Sequence, residues 1–198
     1  FFANGKTEYF PLTMGKGEYM VAIMKGVGKG KWAILDRVTV KLEVEDETVI
    51  YLNSIQNIKW SEQDQPIKYA FNLAKDVKTA EAAFDIFYKY ITENVIYDFN
   101  KASTVKPDYV PSISKTFVDS KGICYDYSSM LAAFMRSLGF PARLVKGYTT
   151  NVEGYHAWNE ILIDGKWMIV DTTYDAGMKK YDVKFKPAEQ YKGKVHQY

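Results

Sequence analysis

Apolar and polar residues alternate in "DRVTVKLEV": Val38, Val40, Leu42 and Val44 are separated by Thr39, Lys41 and Glu43, as a half-buried strand requires. Glu45, Asp46 and Glu47 make a polar turn, and "TVIYLNS" beyond them is the expected hairpin partner. Upstream, "GEYMVAIMKG" predicts another strand. The run "GVGKGKW" lacks the glycine spacing before a Lys-Ser/Thr pair that a phosphate loop needs, so it reads as a hairpin tip. Past "WSEQDQP" the period changes. In "TAEAAFDIFYKYITENV" the residues Ala83, Phe84, Phe87, Tyr88, Ile91 and Val95 fall on one helical face, with Thr79 as N-cap. The polar "DFNKASTVKPDYVPSISK" reads as a loop. A second helix is expected from Cys124 to about Leu138, with Tyr127, Ser128, Leu131, Met135 and Leu138 on one stripe with Cys124, stopped by Gly139 and Pro141. Three strands come next, "ARLVKGYT", "YHAWNEILI" and "KWMIVDTT". The last two are joined by Asp164-Gly165, the strongest short hairpin signal in the chain.

This order of β module, helix, helix and antiparallel sheet predicts an α+β fold. Residues 1–58 are expected to form a small N-terminal β module, either packed on the rest of the chain or ending a larger β domain, and residues 59–198 the core. Composition adds little beyond an ordinary globular chain large enough to bury a core. A net charge of +2 with dispersed lysines argues against nucleic-acid binding. No apolar run is long enough for a bilayer span. The chain begins at Phe1 rather than methionine, which reads as a trimmed or processed protein whose targeting segment is gone. Its one cysteine excludes an internal disulfide and leaves the redox compartment open.

The Asp-Gly turn sets a register in which Ile163 faces Lys166, Trp158 faces Asp171 and His156 faces Thr173. His156, Trp158 and Asp171 then share one face of the sheet, with His156 and Asp171 as diagonal neighbours. A helix packed on that face would bring Cys124, at its N-terminus, to His156. There the helix dipole and an imidazolium both favour thiolate, Gly122 leaves the backbone open to a substrate, and the Cys124 N–H is free for an oxyanion. Thiol, base and orienting carboxylate are the three parts of nucleophilic acyl transfer. Taken singly, each residue has a plainer reading: a core cysteine, a hydrogen-bonded strand histidine, a turn-forming aspartate. On spacing alone the two readings stand level. A zinc site is disfavoured, because His196 is at a frayed tail and no Cys/His pair has zinc spacing.

The segments "KGICYDYSSMLAAFMRSLGFPARLVKGY", "HAWNEILIDGKWMIVDTTYD" and the upstream "NVIYDF" resemble the transglutaminase-like superfamily over about residues 60 to 178. The resemblance implies a papain-like/transglutaminase-like core, with an antiparallel sheet packed on a central helix bearing the cysteine. The family's Gly-x-Cys maps onto Gly122 and Cys124, its His-Ala-Trp onto His156, Ala157 and Trp158, and its Asp-x-Thr onto Asp171 and Thr173. Thr172 stands where members commonly have proline, while the aspartate is kept. Implied roles are nucleophile for Cys124, base and acid for His156, and orienter for Asp171. They would act on peptide or glutamine carboxamide carbonyls, by hydrolysis or transglutamination. Tyr97 is the nearest candidate by motif for a second oxyanion donor, and equally reads as a core tyrosine. The resemblance implies no cofactor and no metal, a protein or peptide substrate associated with the cell wall, and an extracellular or cell-surface location. The alternative is a non-catalytic binding or cell-surface module on the same fold. A papain-like protease of another clan would carry asparagine in the orienting role, against Asp171.

Overall fold

A computed structural model of the chain describes residues 5, 7, 9–178 and 184–198. Residues 1–4, 6 and 8 of the predicted N-terminal module, and 179–183 of the predicted core, lie outside the described residues. Gly17–Gly28 (β1) and Lys31–Leu42 (β2) form an antiparallel hairpin with "GVGKG" at its tip. Lys29 (φ 51°) and Gly30 (φ 70°) supply the left-handed turn. The partner of β2 is therefore β1, not "TVIYLNS". That segment instead forms a 3-10 turn over Glu47–Leu52, capped by Asp46, whose Oδ1 accepts from Thr48 N at 2.8 Å. Nor is β2 half-buried: Val38 is 57% and Val40 39% exposed, because no second layer among the described residues covers this two-stranded ribbon.

Helices Gln65–Leu73 (α1) and Ala80–Asn94 (α2) follow. In α2, Thr79 accepts from Ala82 N, and Ala83, Phe84, Phe87, Tyr88 and Ile91 are buried, as the periodicity predicts. The expected polar loop after it holds a two-residue strand Ile96–Tyr97 (β3) and two short helices, Phe99–Thr104 (α3) and Ile113–Asp119 (α4). Asp98 and Ser112 cap those helices through their side chains. A two-residue strand Lys121–Gly122 (β4) pairs in parallel with β3 and leads into Cys124–Ser137 (α5).

The stripe expected on α5 understates its burial, since every residue from Asp126 to Arg136 is buried. Two of its polar members, Ser129 and Arg136, are bonded to backbone carbonyls outside the helix. Ser129 Oγ donates to Asn57 O at 2.9 Å, and Arg136 donates to the carbonyls of Ala142, Asn53 and Tyr198. Gly139, at φ 82°, ends the helix.

Strands Ala142–Tyr148 (β5), His156–Ile163 (β6) and Lys166–Val170 (β7) form an antiparallel sheet with a C-terminal strand, Gly193–Gln197 (β8), in the order β7-β6-β5-β8. The predicted register holds from Ile163↔Lys166 to Asn159↔Val170. The ladder then ends, and "DTT" opens a helix, Thr172–Met178 (α6), instead of continuing the strand. His196 is not at a frayed tail but within β8, paired with Lys146.

Ala142, Leu144 and Ile161 join the core around α5, and Asn159 Nδ2 donates to Ser128 O at 2.9 Å. The other face of the sheet carries Val145 and Trp158, clustered with Tyr191. The helix thus packs on the face opposite to the one expected from the His156–Trp158 alternation. Among the described residues no helix is long and apolar enough to cross a membrane.

Candidate active site

Cys124 is the first residue of α5, where the backbone N–H has no acceptor within the helix. The short β3–β4 ladder fixes its approach, with Ile96 opposite Lys121 and Tyr97 opposite Gly122. Asp98 N donates to Gly122 O at 2.8 Å. Asp126, one turn into the helix and fully buried, accepts from Ile123 N at 2.8 Å and so closes the helix start from inside. Its charge is answered by Lys101 Nζ at 2.6 Å and the Tyr109 hydroxyl at 2.5 Å. A Cβ at position 122 would stand 2.6 Å from Asp126 Cβ. The glycine is therefore required by packing against Asp126, beyond the backbone access expected of it.

His156, the first residue of β6, is 4% exposed and reaches the start of α5 at the end of the sheet, not across a packed face. Its Nε2 lies 2.8 Å from Asp171 Oδ2, and Cys124 is near enough to act on its ring. With Nε2 engaged by the carboxylate, Nδ1 is the nitrogen left for the thiol. Burial pulls the imidazole pKa down, but Asp171 and Cys124 outweigh it and push the value up to about 10.

Asp171 has two tasks, one for each oxygen. Oδ1 accepts from Tyr174 N at 3.0 Å and caps α6, while Oδ2 holds His156. Oδ2 also accepts from the Tyr191 hydroxyl at 2.8 Å. Tyr191 is buried, packs edge-on to Trp158 at 5.2 Å, and accepts from Asn151 Nδ2 at 3.2 Å. Trp158 in turn stacks beside His156 at 6.5 Å. Sequence reasoning missed Tyr191 because no motif or spacing marks it.

The structure thus hydrogen-bonds His156 to Asp171 and puts Cys124 close enough to His156 to raise its pKa, while Thr173 lies in α6 and not opposite His156. Tyr97 lies close enough to feel the cysteine: burial raises its pKa first, and the charges of Cys124 and Asp126 add to it. Lys146, also missed, feels the charge of Cys124 as well, its ammonium 4.3 Å from the centre of the Tyr125 ring. Among the described residues no group of three or more His, Cys, Asp or Glu could hold a metal ion. A buried imidazole held between a carboxylate and a thiol at a helix start can polarise that thiol and pass a proton to a leaving group.

Residues 67–172 match the family model of the transglutaminase-like superfamily. A curated relative, a UPF0252 protein of Archaeoglobus fulgidus, is 27% identical over 135 residues. The match covers 61% of this chain and 42% of that protein, so the chain spans less than half the relative's length. Among solved structures, a candidate cysteine protease from Cytophaga hutchinsonii superposes with a TM-score of 0.58 at 15% identity, covering 96% of this chain and 74% of that one. LapG from Legionella pneumophila superposes with a TM-score of 0.52 at 15% identity, over 68% of this chain and 74% of that one. At these identities the two structures speak to the fold alone.

Proposed function

This chain belongs to the transglutaminase-like superfamily, and on that footing we propose that it is a cysteine acyl-transfer enzyme acting on peptide or glutamine carboxamide carbonyls. The observation that carries the reading is the buried His156–Asp171 hydrogen bond, with Cys124 at the unpaired start of α5 near enough to raise the pKa of that imidazole. The Cys124 sulfur, as thiolate, attacks the carbonyl carbon and forms a C–S bond. The oxyanion takes the Cys124 N–H and, as second donor, the Tyr97 hydroxyl, a role supported by the pairing of Tyr97 with Gly122. When the C–N bond breaks, His156 gives its proton to the departing amine, leaving a thioester. Water then attacks with His156 as base, releasing an acid and restoring the thiol. An amine in place of water gives a new amide. Hydrolysis is the favoured route, since solvent is always present whereas exclusion of water needs a special enclosure.

Asp171 keeps the ring oriented and stabilises its cationic form. An extracellular or cell-surface site of action, on protein or peptide substrates, is part of the same proposal.

The test is intact-mass detection of a thioester on Cys124 during turnover of a peptide amide pool, for wild type, Cys124→Ser and His156→Ala. Acyl-enzyme in the wild type alone supports the reading. If no peptide or glutamine amide acylates the wild type, the non-catalytic module becomes the better account.

A further inference from the structure

Lys146 lies in β5, in register with Ala157, the residue after His156, and with His196 of β8. Its ammonium is held 4.3 Å from the centre of the Tyr125 ring and 5.2 Å from that of Tyr198. Tyr125 directly follows Cys124, and the charge of that thiol is felt at the ammonium these rings hold. Two other inward-drawn lysines each have a buried carboxylate: Lys101 pairs with Asp126 and Lys186 with Asp175. Among the described residues no carboxylate pairs with Lys146. Burial lowers its pKa, and the charge at Cys124 is what raises it. Ring faces attract a cation but do not replace a counter-ion, so a half-buried ammonium stands here with one place unfilled. Tyr155 and Tyr148, ring centres 5.5 Å apart and about half exposed, extend the aromatic wall outward.

Resting on the acyl-transfer reading above, we propose that Lys146, with the rings of Tyr125, Tyr155 and Tyr198, forms an anion subsite beside Cys124 that takes a substrate carboxylate. The preferred substrates are peptides with a carboxylate close to the scissile carbonyl, from an acidic side chain or a free chain end. The carboxylate supplies the counter-ion that the fold withholds, and the rings shield the pair from water.

The test compares alkylation of Cys124 by iodoacetate and by iodoacetamide, near-isosteric reagents that differ in charge. The single cysteine makes each mass shift unambiguous. The expected result is that Lys146→Met lowers the iodoacetate-to-iodoacetamide rate ratio roughly tenfold at neutral pH, while Lys146→Arg retains it. Thermal melts of the variants control for folding, and Lys146→Gln, also uncharged, reads the same ratio if the Met variant is unstable. An unchanged ratio in the uncharged variant overturns the subsite. Equal slowing with both reagents also overturns it, because Lys146 would then act on the thiolate and not on the anion. A wild-type iodoacetamide rate no faster than that of His156→Ala, in contrast, brings down the acyl-transfer reading and the subsite with it. In turnover, peptides differing as Glu against Gln beside the scissile bond report a side-chain carboxylate. Peptides with free against amidated C-termini report a chain end. Preference for the charged member of neither pair overturns the subsite as a substrate site.

Discussion

The Tyr191 hydroxyl donates to Oδ2 of Asp171 at 2.8 Å, the same oxygen that meets His156 Nε2 at 2.8 Å. One carboxylate oxygen thus serves two partners, one before it and one after it in the chain. Tyr191→Phe keeps the ring against Trp158 and removes only the donor. Loss of a hydrogen bond to a charged group costs about 1.5–3 kcal/mol. We expect a stability loss of that size in urea unfolding, and kcat/KM about tenfold lower.

Asp171→Asn keeps the shape of the side chain but removes the charge that orients and stabilises the imidazolium. Activity is expected to fall by about 10²-fold or more, with substrate binding little changed, as read from kcat and KM separately.

His156 has its pKa raised from 6.5 to about 10. A raised value means that its contribution to stability is fully present below about pH 6.5 and is lost as pH climbs through about 10. The difference in unfolding free energy between wild type and His156→Ala should therefore shrink across that window. The alkaline limb of kcat/KM should fall near pH 10, where the proton for the leaving amine is lost. Denaturant titrations and a pH–rate profile check the two halves independently. A limb near neutrality would contradict the ion-pair geometry.

Gly122→Ala puts a methyl group 2.6 Å from Asp126 Cβ. Asp126 must shift, and with it the bond to Ile123 N that closes the start of α5. The expected cost is about 1–3 kcal/mol, with activity falling by more than the unfolded fraction explains because Cys124 moves too. A melt and a rate measured on the same sample separate the two effects.

Arg136 is 2% exposed and its guanidinium donates to three backbone carbonyls, on Asn53, Ala142 and Tyr198. Arg136→Leu leaves those acceptors buried without their donor, so destabilisation of about 3 kcal/mol or more is expected in chemical unfolding. Arg136→Lys should recover only part of it, because one ammonium cannot span the fork.

Legibility in the sequence tracks the range of each interaction. The helices α2 and α5 and the Asp164-Gly165 turn are readable because periodicity, caps and turn chemistry act over a few residues. The short helices α3 and α4 are not, since each is too brief to show a period and is held by a single capping side chain. The partner of β2 is misplaced because both neighbouring segments are apolar runs that could pair with it, and only pairing in space selects β1.

At the site, motif and register point to Cys124, His156 and Asp171, but the packing that joins them is not in the pattern. Alternation along β6 puts His156 and Trp158 on one face and invites α5 onto it. The chain instead buries the apolar side of Ala142, Leu144 and Ile161 against that helix, and His156 reaches Cys124 at the strand end.

By itself, then, the sequence determined the class of fold, the main helices, the β6–β7 register and the residue types available for chemistry. These are local consequences of side-chain shape and period. Tertiary structure alone decided that Tyr191 braces Asp171, that Asp126 requires Gly122, and that Lys146 stands over the Tyr125 ring with no carboxylate paired to it among the described residues. Each joins groups far apart in the fold or buried on several sides, where packing density and the cost of an unpaired polar atom choose the neighbours.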